Sequence, residues 1–357
     1  MKRMHLPVAV GVGLLLVTFV FSATCLAAES FKPITLKYAA PVVQQSWYGQ
    51  QNQWWANEVE KRTGGRVKIQ IFWMESLVKW KDMLQGIQSG IADIGWFSST
   101  YNPSNVPLFL MLDNPLNCHP GRYVAAIMAC NDTMDNQPDL KAELEREKII
   151  MVANHNSGMA QIGLKKCPNS LKDLRGKSIR SYGGGQIKTY ENLGMNPTFL
   201  SYSDIYEAID RGTVDISNIA VTLSDAFKHY EVMKCVYMTN GGVAIATGLF
   251  MNRDVFKKLP KDIQDILLSL RTEYGIRYGK GVEDGETTVR RAWETKHGVT
   301  FKELSPEDQK IFVEASNQAT EYLLKKQEAD GHTAARKVWN YYLSALKKYE
   351  DQEAKKK

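Results

Sequence analysis

The sequence predicts an α/β protein of two lobes with a cleft between them. Two successive runs of alternating strand and helix patterns, over residues 34–97 and 149–239, predict one sheet for each lobe. The chain has 357 residues, which is too long for a single small core and fits one large or two medium domains. Two sheets side by side leave a cleft between them, which is a favoured place for a small ligand.

The first run of patterns predicts a three-stranded parallel sheet. Residues 34–39 and 67–72 alternate in polarity and predict two strands. Ser46 is a suitable N-cap for a helix that ends before a pair of glycines. A helix over residues 79–89 and a strand over residues 91–97 complete a strand–helix–strand–helix–strand order, which favours parallel pairing.

A helical segment near residues 122–134 precedes the second run. The second run predicts strands over residues 149–153, 161–165, 177–181, 196–200, 214–220 and 236–239. It predicts helices over residues 187–193, 203–211 and 221–230, with Ser203 as the cap of the second. From Asp254 onward the pattern is helical, and Pro260 and Pro306 each mark the start of a helix.

The N-terminus predicts a secretory signal peptide over residues 1–28. A short basic start is followed by residues 6–28, none of which is charged, and small residues collect near the end of this stretch. Cleavage after Ala27 or Ala28 would give a soluble, exported chain. The alternatives are an uncleaved anchor, since the apolar stretch is long enough to cross a bilayer, and a lipid anchor on Cys25.

Four cysteines follow the predicted signal peptide: Cys118, Cys130, Cys167 and Cys235. None has the CxxC spacing of a zinc or thioredoxin-like site. An oxidising compartment permits disulfides, and four cysteines allow three complete pairings. Cys167 with Cys235 is the first pair to test, because both follow predicted strands in the same half of the protein. Buried free thiols are the alternative.

The composition is that of an ordinary globular protein, with 44% hydrophobic and 24% charged residues. The formal net charge is +6, and it falls to about +4 without the two basic residues of the N-terminus. Because this charge is spread along the chain, it gives little support for nucleic-acid binding. We therefore expect no nucleic-acid partner.

The sequence lacks the motifs that would indicate an enzyme or a metal site. It contains no GxSxG, HExxH, P-loop or EF-hand pattern. His155 and His229 are isolated, and we expect them at the surface or at the edge of the core. Solvated helix faces are predicted for Asp204, Asp210, Glu143, Glu145 and Glu147. We expect no cofactor and no metal, and we favour binding over catalysis.

An ordered set of short motifs runs through nearly the whole chain after the predicted signal peptide. The set comprises residues 58–67 (EVEKRTGGRV), 83–94 (MLQGIQSGIADI), 171–180 (LKDLRGKSIR), 193–197 (LGMNP), 203–209 (SDIYEAI) and 212–215 (GTVD). It continues with residues 251–253 (MNR), 259–260 (LP) and 303–307 (ELSPE). Together these motifs resemble the solute-binding subunit of TRAP (tripartite ATP-independent periplasmic) transporters, the DctP-like family.

The resemblance implies two α/β lobes joined by crossing strands and a long helix. Lobe I would comprise residues 31–154 with 244–283, and lobe II residues 155–243 with 284–350. In this family the lobes close over a small organic carboxylate in the periplasm and present it to membrane permease subunits. The implied partners are therefore a small organic acid and those subunits.

The resemblance assigns the main ligand contact to Arg180. In the family, an arginine at the end of the strand after the Leu-Lys-Asp-Leu-Arg-Gly motif forms a bidentate pair with the ligand carboxylate. A guanidinium matches the geometry of a carboxylate and stays charged when it is buried. The alternative is an arginine paired with a nearby Asp or Glu of the protein.

Three positions depart from the sugar-acid and dicarboxylate binders of the family. A second arginine of those proteins is replaced by Ala160, beside Gln161, which we also expect near the ligand. Ile219 takes the place of a polar asparagine, and Ser98 takes the place of an acidic residue of sialic-acid-type members. These departures imply one main cation and an apolar lining. They favour a monocarboxylate with an apolar or aromatic body over a C4 dicarboxylate.

Aromatic residues stand at or near the pocket positions of the family. They are Trp47, Trp80, Trp96, Tyr101, Tyr182 and Tyr202. Aromatic side chains commonly line concave ligand sites, although core packing explains each of them equally well on its own. Three glycines at residues 183–185 follow the Arg180 strand, and they either let the backbone approach a ligand or form a turn.

Two other functions remain open at the level of the sequence. A binding protein of an ATP-driven importer has a similar two-lobed shape, and the neighbouring genes would distinguish it. An exported α/β enzyme with scattered catalytic residues would reveal itself by turnover of a bound ligand.

Overall fold

The computed structural model describes Met1 and residues 32–355. The chain divides into two compact units, Met1–Lys32 and Pro33–Lys357, and both sheets belong to the second unit. Apart from Met1, the predicted signal peptide lies outside the described residues. No helix in the described part of the chain is long and apolar enough to cross a membrane.

Eleven strands form two sheets within the described residues. The strands are β1 (Ile34–Ala39), β2 (Val67–Phe72), β3 (Ile94–Ser98), β4 (Ile149–Asn154), β5 (Ala160–Leu164), β6 (Ser178–Ser181), β7 (Asn196–Phe199), β8 (Ile216–Ala220), β9 (Cys235–Met238), β10 (Thr247–Asn252) and β11 (Thr300–Glu303). The first sheet has the order β2–β1–β3–β10–β4, and the second has the order β11–β9–β5–β8–β6–β7. Two sheets with helices packed on them are the α/β architecture that the sequence predicts.

Helices connect and cover the strands. They are α1 (Trp47–Arg62), α2 (Met83–Gln88), α3 (Pro107–Leu110), α4 (Tyr123–Asn136), α5 (Pro138–Arg146), α6 (Gly185–Asn192), α7 (Ile205–Asp210), α8 (Val221–Ala226), α9 (Arg253–Lys258), α10 (Lys261–His297), α11 (Pro306–Ala329) and α12 (Ala335–Ala354). Short 3-10 turns are formed by Trp80–Asp82, Ser99–Tyr101, Met111–Asp113, Leu171–Leu174, Tyr202–Asp204 and His229–Glu231.

Serine caps begin two of the longer helices. The hydroxyl of Ser46 accepts a hydrogen bond from the backbone N–H of Gly49 at 3.0 Å, which confirms the predicted cap of α1. Ser305 caps α11 in the same way, accepting from the N–H of Asp308 at 3.1 Å. Ser203 lies inside the 3-10 turn that precedes α7, so the prediction of this residue as a helix cap is wrong.

Both sheets are mixed, so the expectation of parallel sheets is wrong in part. β1 pairs in parallel with β2 and β3, as predicted. β10 is antiparallel to β3 and β4, and β5 is antiparallel to β8 and β9. The reason lies in the path of the chain. The chain enters β5 and β10 through short segments that cross from the other sheet, and these two strands run against their neighbours. It enters β11 after the long helix α10, and β11 is parallel to β9.

Two short segments carry the chain between the sheets, and a third passage, from β10 to β11, runs through α9 and α10. Residues 155–159 lead from β4 to β5, and residues 239–246 lead back from β9 to β10. These crossing segments run side by side, since Met159 and Val243 form an antiparallel bridge. The long helix α10 packs against α1, α4 and β4 beside the first sheet and against α8 and β11 beside the second. The lobe borders that the resemblance implies stay a prediction.

The chain after Asp254 is not helical throughout, which corrects a prediction. Thr300–Glu303 forms β11, which pairs in parallel with β9 at the edge of the second sheet. Only four residues are involved, they lie between two long helices, and none of them is fully buried. A segment this short does not establish a period that distinguishes a strand.

A disulfide joins Cys167 to Cys235, the first of the pairs proposed from the sequence. Cys167 follows β5, whereas Cys235 begins β9 rather than following a strand. β9 is the antiparallel neighbour of β5, with Cys235 opposite Leu164, so strand pairing brings the two cysteines together. Cys118 and Cys130 are buried free thiols.

Several polar residues that we expected at the surface, or at the surface or the edge of the core in the case of the two histidines, are buried instead. His155 and His229 have no exposed surface, and Glu143 and Glu147 are also buried. The Glu143 carboxylate accepts the backbone N–H groups at the start of α3, at 2.7 and 2.8 Å. Burial raises the pKa of this carboxyl to about 7, against the lowering effect of those two hydrogen bonds. The sequence pattern fails here because Glu143 pairs with a helix end that is remote in the chain.

Candidate functional site

A cavity lies between the two sheets, next to the crossing segments. It is lined by Trp80, Trp96, Ser98, Thr100, Tyr101, Ser157, Ala160, Arg180, Tyr182, Tyr202, Asn218, Ile219, Ala220, Leu223, Ala244 and Thr247. The first sheet contributes the end of β3 and the turn after it, and the second sheet contributes β5, β6 and β8. The lining contains one cation and no carboxylate.

Arg180 lies on β6, and its side chain is fully buried. Its Nε donates to the carbonyl oxygen of Leu200 at 3.0 Å, and its Nη1 donates to that of Asn218 at 3.3 Å. Within residues 32–355, no Asp or Glu oxygen lies within ion-pair distance of this guanidinium. The alternative of an arginine paired with an internal acid therefore finds no support in the described residues. A buried cation without an acid partner provides a place for an anion.

Two tyrosine rings flank the guanidinium. The Cζ atom of Arg180 lies 5.1 Å from the ring centre of Tyr202 and 5.9 Å from that of Tyr182. Burial raises the pKa of Tyr202 to about 12 and also raises the pKa of Tyr182. Both phenols therefore stay neutral at physiological pH, and the positive charge of the cavity comes from Arg180.

A cluster of aromatic rings forms the wall on the side of the first sheet. The Trp80 ring centre lies 5.3 Å from that of Trp96, 5.6 Å from that of Tyr101 and 6.3 Å from that of Tyr202. These edge-to-face and tilted arrangements are typical of packed aromatic side chains. Ile219 and Leu223 add aliphatic surface from the second sheet and α8. The cavity is thus apolar except at a few defined points.

Contacts between the two halves close the site on several sides. The backbone N–H of Tyr202 donates to the hydroxyl of Tyr101 at 3.0 Å. The hydroxyls of Tyr48 in α1 and Thr222 in α8 lie 2.7 Å apart. Each contact joins an element beside the first sheet to one beside the second.

Eight of the ten predicted site residues line the cavity: Arg180, Tyr182, Ser98, Trp96, Tyr101, Tyr202, Ile219 and Trp80. Trp47 does not, because it packs 5.0 Å from both Tyr48 and Tyr278 against α10. Gln161 also lies elsewhere, because its amide exchanges two hydrogen bonds with Asn240, at 2.8 and 2.9 Å. A role of the eight in ligand binding stays a prediction.

Sequence reasoning did not find several lining residues. They are Thr100, Ser157, Asn218, Ala220, Leu223, Ala244 and Thr247. Five of the seven stand within four positions of a predicted residue, and that proximity is the signal that could have found them. Ala244 and Thr247 carry no such signal, because Ala244 lies on the returning crossing segment and Thr247 begins β10, which the sequence did not predict. The described residues contain no cluster of His, Cys, Asp and Glu side chains that could hold a metal ion.

Comparison with known proteins gives one family match. Residues 40–327 match the family described as bacterial extracellular solute-binding protein, family 7, also called DctP. A solute-binding protein of Verminephrobacter eiseniae is 27% identical over 229 residues, which are 63% of this chain and 67% of that protein.

Solved structures with a similar fold include two TRAP solute-binding proteins. One, from Rhodoferax ferrireducens, is a complex with copurified benzoate; it has a TM-score of 0.80 at 19% identity and covers 90% of this chain and 99% of its own. The other, from a marine metagenome, is a complex with 3-hydroxybenzoate. It has a TM-score of 0.80 at 18% identity, and the match covers 89% of this chain and 99% of that protein. At these identities the likeness shows the two-lobed fold.

Proposed function

The chain belongs to the DctP family of bacterial extracellular solute-binding proteins, and we propose that its cavity captures a monocarboxylate with an apolar or aromatic body. The family match covers most of the chain, and it favours the receptor of a TRAP transporter over a binding protein of an ATP-driven importer. Members of the family are solute receptors, and we infer no enzymatic activity for this one.

One observation carries the proposal: Arg180 is fully buried at the cavity and has no acidic partner within the described residues. A guanidinium has five N–H donors, and two of its nitrogens here donate to backbone carbonyl oxygens. The remaining donors suit a bidentate pair with a carboxylate. A bound anion would neutralise a charge that is otherwise costly to bury.

The rest of the cavity supports a single negative charge on the ligand. No second Lys or Arg lines it, so a dicarboxylate would place its second charge among Trp, Tyr, Ile and Leu side chains. Ala160 and Ile219 both lie in the wall, at the positions where the family's sugar-acid and dicarboxylate binders have polar groups. Benzoate in the Rhodoferax protein illustrates that the fold can enclose such a ligand.

The proposed cycle follows from the two halves of the molecule. The open form admits the anion, Arg180 anchors it, and closure brings the first-sheet side against the second and excludes water. The ligand shifts the equilibrium because it binds the closed form more tightly. The exported protein would then deliver the ligand to membrane permease subunits, and this partnership, like the periplasmic location, is part of the proposal.

A thermal-shift screen tests the proposed ligand class. Benzoate, hydroxybenzoates and short aliphatic monocarboxylates are compared with succinate, malate and sugar acids at equal concentration. Ligands that bind the folded state raise the unfolding temperature. We expect the monocarboxylates to give the larger shifts. Stabilisation by the dicarboxylates or sugar acids alone would overturn the proposal, and mass spectrometry of copurified small molecules provides an independent check.

A further inference from the structure

The indole N–H of Trp80 is a buried donor without a hydrogen-bond partner. Trp80 is only 5% exposed, and its side chain lines the cavity. No acceptor for its Nε1–H is present among the described residues. A buried donor that lacks an acceptor loses its hydration without compensation, so it stands out in a folded protein.

Two other buried indoles show which feature is particular to Trp80. The Nε1–H of Trp96, which lines the same cavity, donates to the hydroxyl of Thr247 at 3.1 Å. The Nε1–H of Trp55 also lacks a partner, but Trp55 is in the core and does not line the cavity. Among these three residues, Trp80 alone combines an unused donor with a position in the cavity wall.

A second unused donor lies on the same side of the cavity. The hydroxyls of Ser98 and Thr100 are 2.9 Å apart and share one hydrogen bond. Two hydroxyls carry two protons, and this bond uses one of them. The hydroxyl of Thr247 is already committed, because it donates to the carbonyl oxygen of Phe97 at 2.8 Å. The Ser98–Thr100 pair therefore retains a proton that it can donate.

A ligand anchored on Arg180, in the second sheet, must extend across the cavity to reach these donors. The ring of Tyr202 connects the two regions, because its centre lies 5.1 Å from Cζ of Arg180 and 6.3 Å from the ring centre of Trp80. The guanidinium and the indole are thus no further apart than the sum of these distances. A ligand anchored on Arg180 can therefore reach the indole without spanning more than that distance.

We propose that Trp80 and the Ser98–Thr100 pair form an oxygen-recognising subsite opposite Arg180, so that the ligand is a hydroxy- or oxo-substituted monocarboxylate. This inference rests on the proposed function. An indole N–H can only donate, so its partner must be an acceptor such as a hydroxyl or carbonyl oxygen. A site with such donors discriminates against an analogue that lacks the oxygen, because its buried polar groups then stay unpaired.

Calorimetric titration with matched ligand pairs tests the inference. At each ring position, hydroxybenzoate is compared with methylbenzoate, which has a similar shape and no acceptor, and benzoate serves as the reference. Hexanoate and 5-oxohexanoate form an aliphatic pair. We expect the best oxygen-bearing ligand to bind at least about tenfold more tightly than its matched analogue. Ratios within twofold for every pair would overturn the inference.

Single-residue variants test whether Trp80 and Thr100 cause the difference in affinity between an oxygen-bearing ligand and its matched analogue. Trp80→Phe removes the N–H and keeps an aromatic ring, and it should bring the ratio of the two dissociation constants close to one. Thr100→Val provides a second test that does not depend on the folding of the first variant, and it should lower the ratio. Trp55→Phe makes the same chemical change outside the cavity and should keep the wild-type ratio. A wild-type ratio in both Trp80→Phe and Thr100→Val would contradict the subsite.

The outcomes separate this inference from the proposed function. If the wild-type protein binds none of these monocarboxylates, the proposed ligand class fails and the subsite fails with it. If it binds them through Arg180 but without preference for the oxygen-bearing member, only the subsite fails.

Discussion

Gly183 lies directly against the backbone carbonyl of Thr100. A Cβ atom at Gly183 would be 2.6 Å from that carbonyl oxygen, which is closer than folded proteins allow. Gly183 follows β6, the strand of Arg180, whereas Thr100 follows β3 of the first sheet. The two halves of the molecule therefore meet beside the cavity only because this position lacks a side chain.

Gly183→Ala should therefore weaken ligand binding by obstructing the approach of the two halves. Overpacking of this kind costs about 1–3 kcal/mol, which corresponds to roughly 5- to 150-fold in affinity. Calorimetry with the best monocarboxylate measures the loss. Gly176→Ala is the control: its φ of +75° makes a side chain strained, but no atom lies within 4 Å, so stability should fall while affinity is kept. Equal affinity in wild type and Gly183→Ala would contradict the role of this contact.

Arg180→Ala should abolish most binding of monocarboxylates. Removing one partner of a desolvated charged pair costs about 2–5 kcal/mol. Isothermal titration calorimetry measures the change, and thermal unfolding of the ligand-free variant checks that it is folded. Arg211→Ala is a matched control on the same half, because that guanidinium is exposed and pairs with the exposed Glu207. Unchanged affinity in Arg180→Ala would refute the assigned anchor.

Removal of the disulfide should lower stability without changing the ligand class. Cys167 and Cys235 are 68 residues apart in the sequence, so their bond restricts a long loop of the unfolded chain. We expect the double variant Cys167→Ser/Cys235→Ser to lose about 2–5 kcal/mol of unfolding free energy, measured with urea. A reducing agent should destabilise the wild type and leave this variant unaffected. Equal urea midpoints for wild type with and without the reductant would argue against the bond.

His155 should make the protein sensitive to acid. Its ring is stacked on Tyr278 with the ring centres 4.9 Å apart, and it meets Trp96 edge to face at 4.3 Å. Neither ring nitrogen has a partner among the described residues. Burial lowers the pKa of His155 from 6.5 to about 3. Between pH 6.5 and about pH 3 the histidine is protonated in the unfolded state and neutral in the folded state. The free energy of unfolding therefore falls by about 1.4 kcal/mol for each pH unit of acidification.

His155→Phe should reduce this dependence and raise stability at pH 4–5 relative to wild type, because phenylalanine fills the same aromatic stack and does not titrate. Urea unfolding between pH 4 and 8 measures the slope. Some slope should remain, because burial also lowers the pKa of His229 to about 3. At pH 8 the histidine contribution vanishes in both proteins. A slope identical to that of wild type would show that His155 is not held neutral.

Asp113 should lower the stability of the protein as the pH rises, whereas His155 lowers it as the pH falls. Its carboxylate accepts hydrogen bonds from the Ser99 hydroxyl at 2.7 Å and from the N–H groups of Ile245 and Ala246 at 2.6 and 2.9 Å. Burial nevertheless raises its pKa from 3.8 to about 6. Between these values the folded state binds the extra proton, so the contribution of Asp113 to stability falls as the pH rises through this window.

Asp113→Asn should remove that fall without adding a charge, because the amide oxygen can still accept from the N–H groups of Ile245 and Ala246 and its NH2 can donate to the Ser99 hydroxyl. The stability of the variant relative to wild type should increase by about 2–3 kcal/mol from pH 4 to pH 7, as measured by urea unfolding. A difference between variant and wild type that does not change with pH would contradict the raised pKa.

Local sequence patterns predicted much of the fold, and the exceptions have local causes. The strands at β1, β2 and β4 and the cap at Ser46 follow from alternation and from side-chain to backbone hydrogen bonding within a few residues. β11 was missed because four half-exposed residues do not establish a period. The strand β10 was not predicted, and the antiparallel pairing of β5 and β10 was not expected, because strand direction depends on the path of the chain between the sheets.

Some residues of the candidate site could likewise be found from the sequence, and others could be distinguished only in the structure. Arg180, Ser98 and Ile219 were found because they stand at fixed positions within ordered motifs. Trp47 and Trp80 were equally good candidates in the sequence, yet Trp80 lines the cavity and Trp47 packs against Tyr278. An aromatic side chain suits a core and a ligand site alike, so only its neighbours in space distinguish the two.

The sequence by itself determined the α/β class, the order of strands β1 to β9 and the position of the arginine on its strand, because these depend on residues that are close in the chain. The tertiary structure decided that Arg180 has no acid beside it within the described residues, that the indole of Trp80 has an unused N–H, and that Gly183 touches Thr100. Each of these depends on how segments far apart in the chain pack together, and local patterns do not encode such distances.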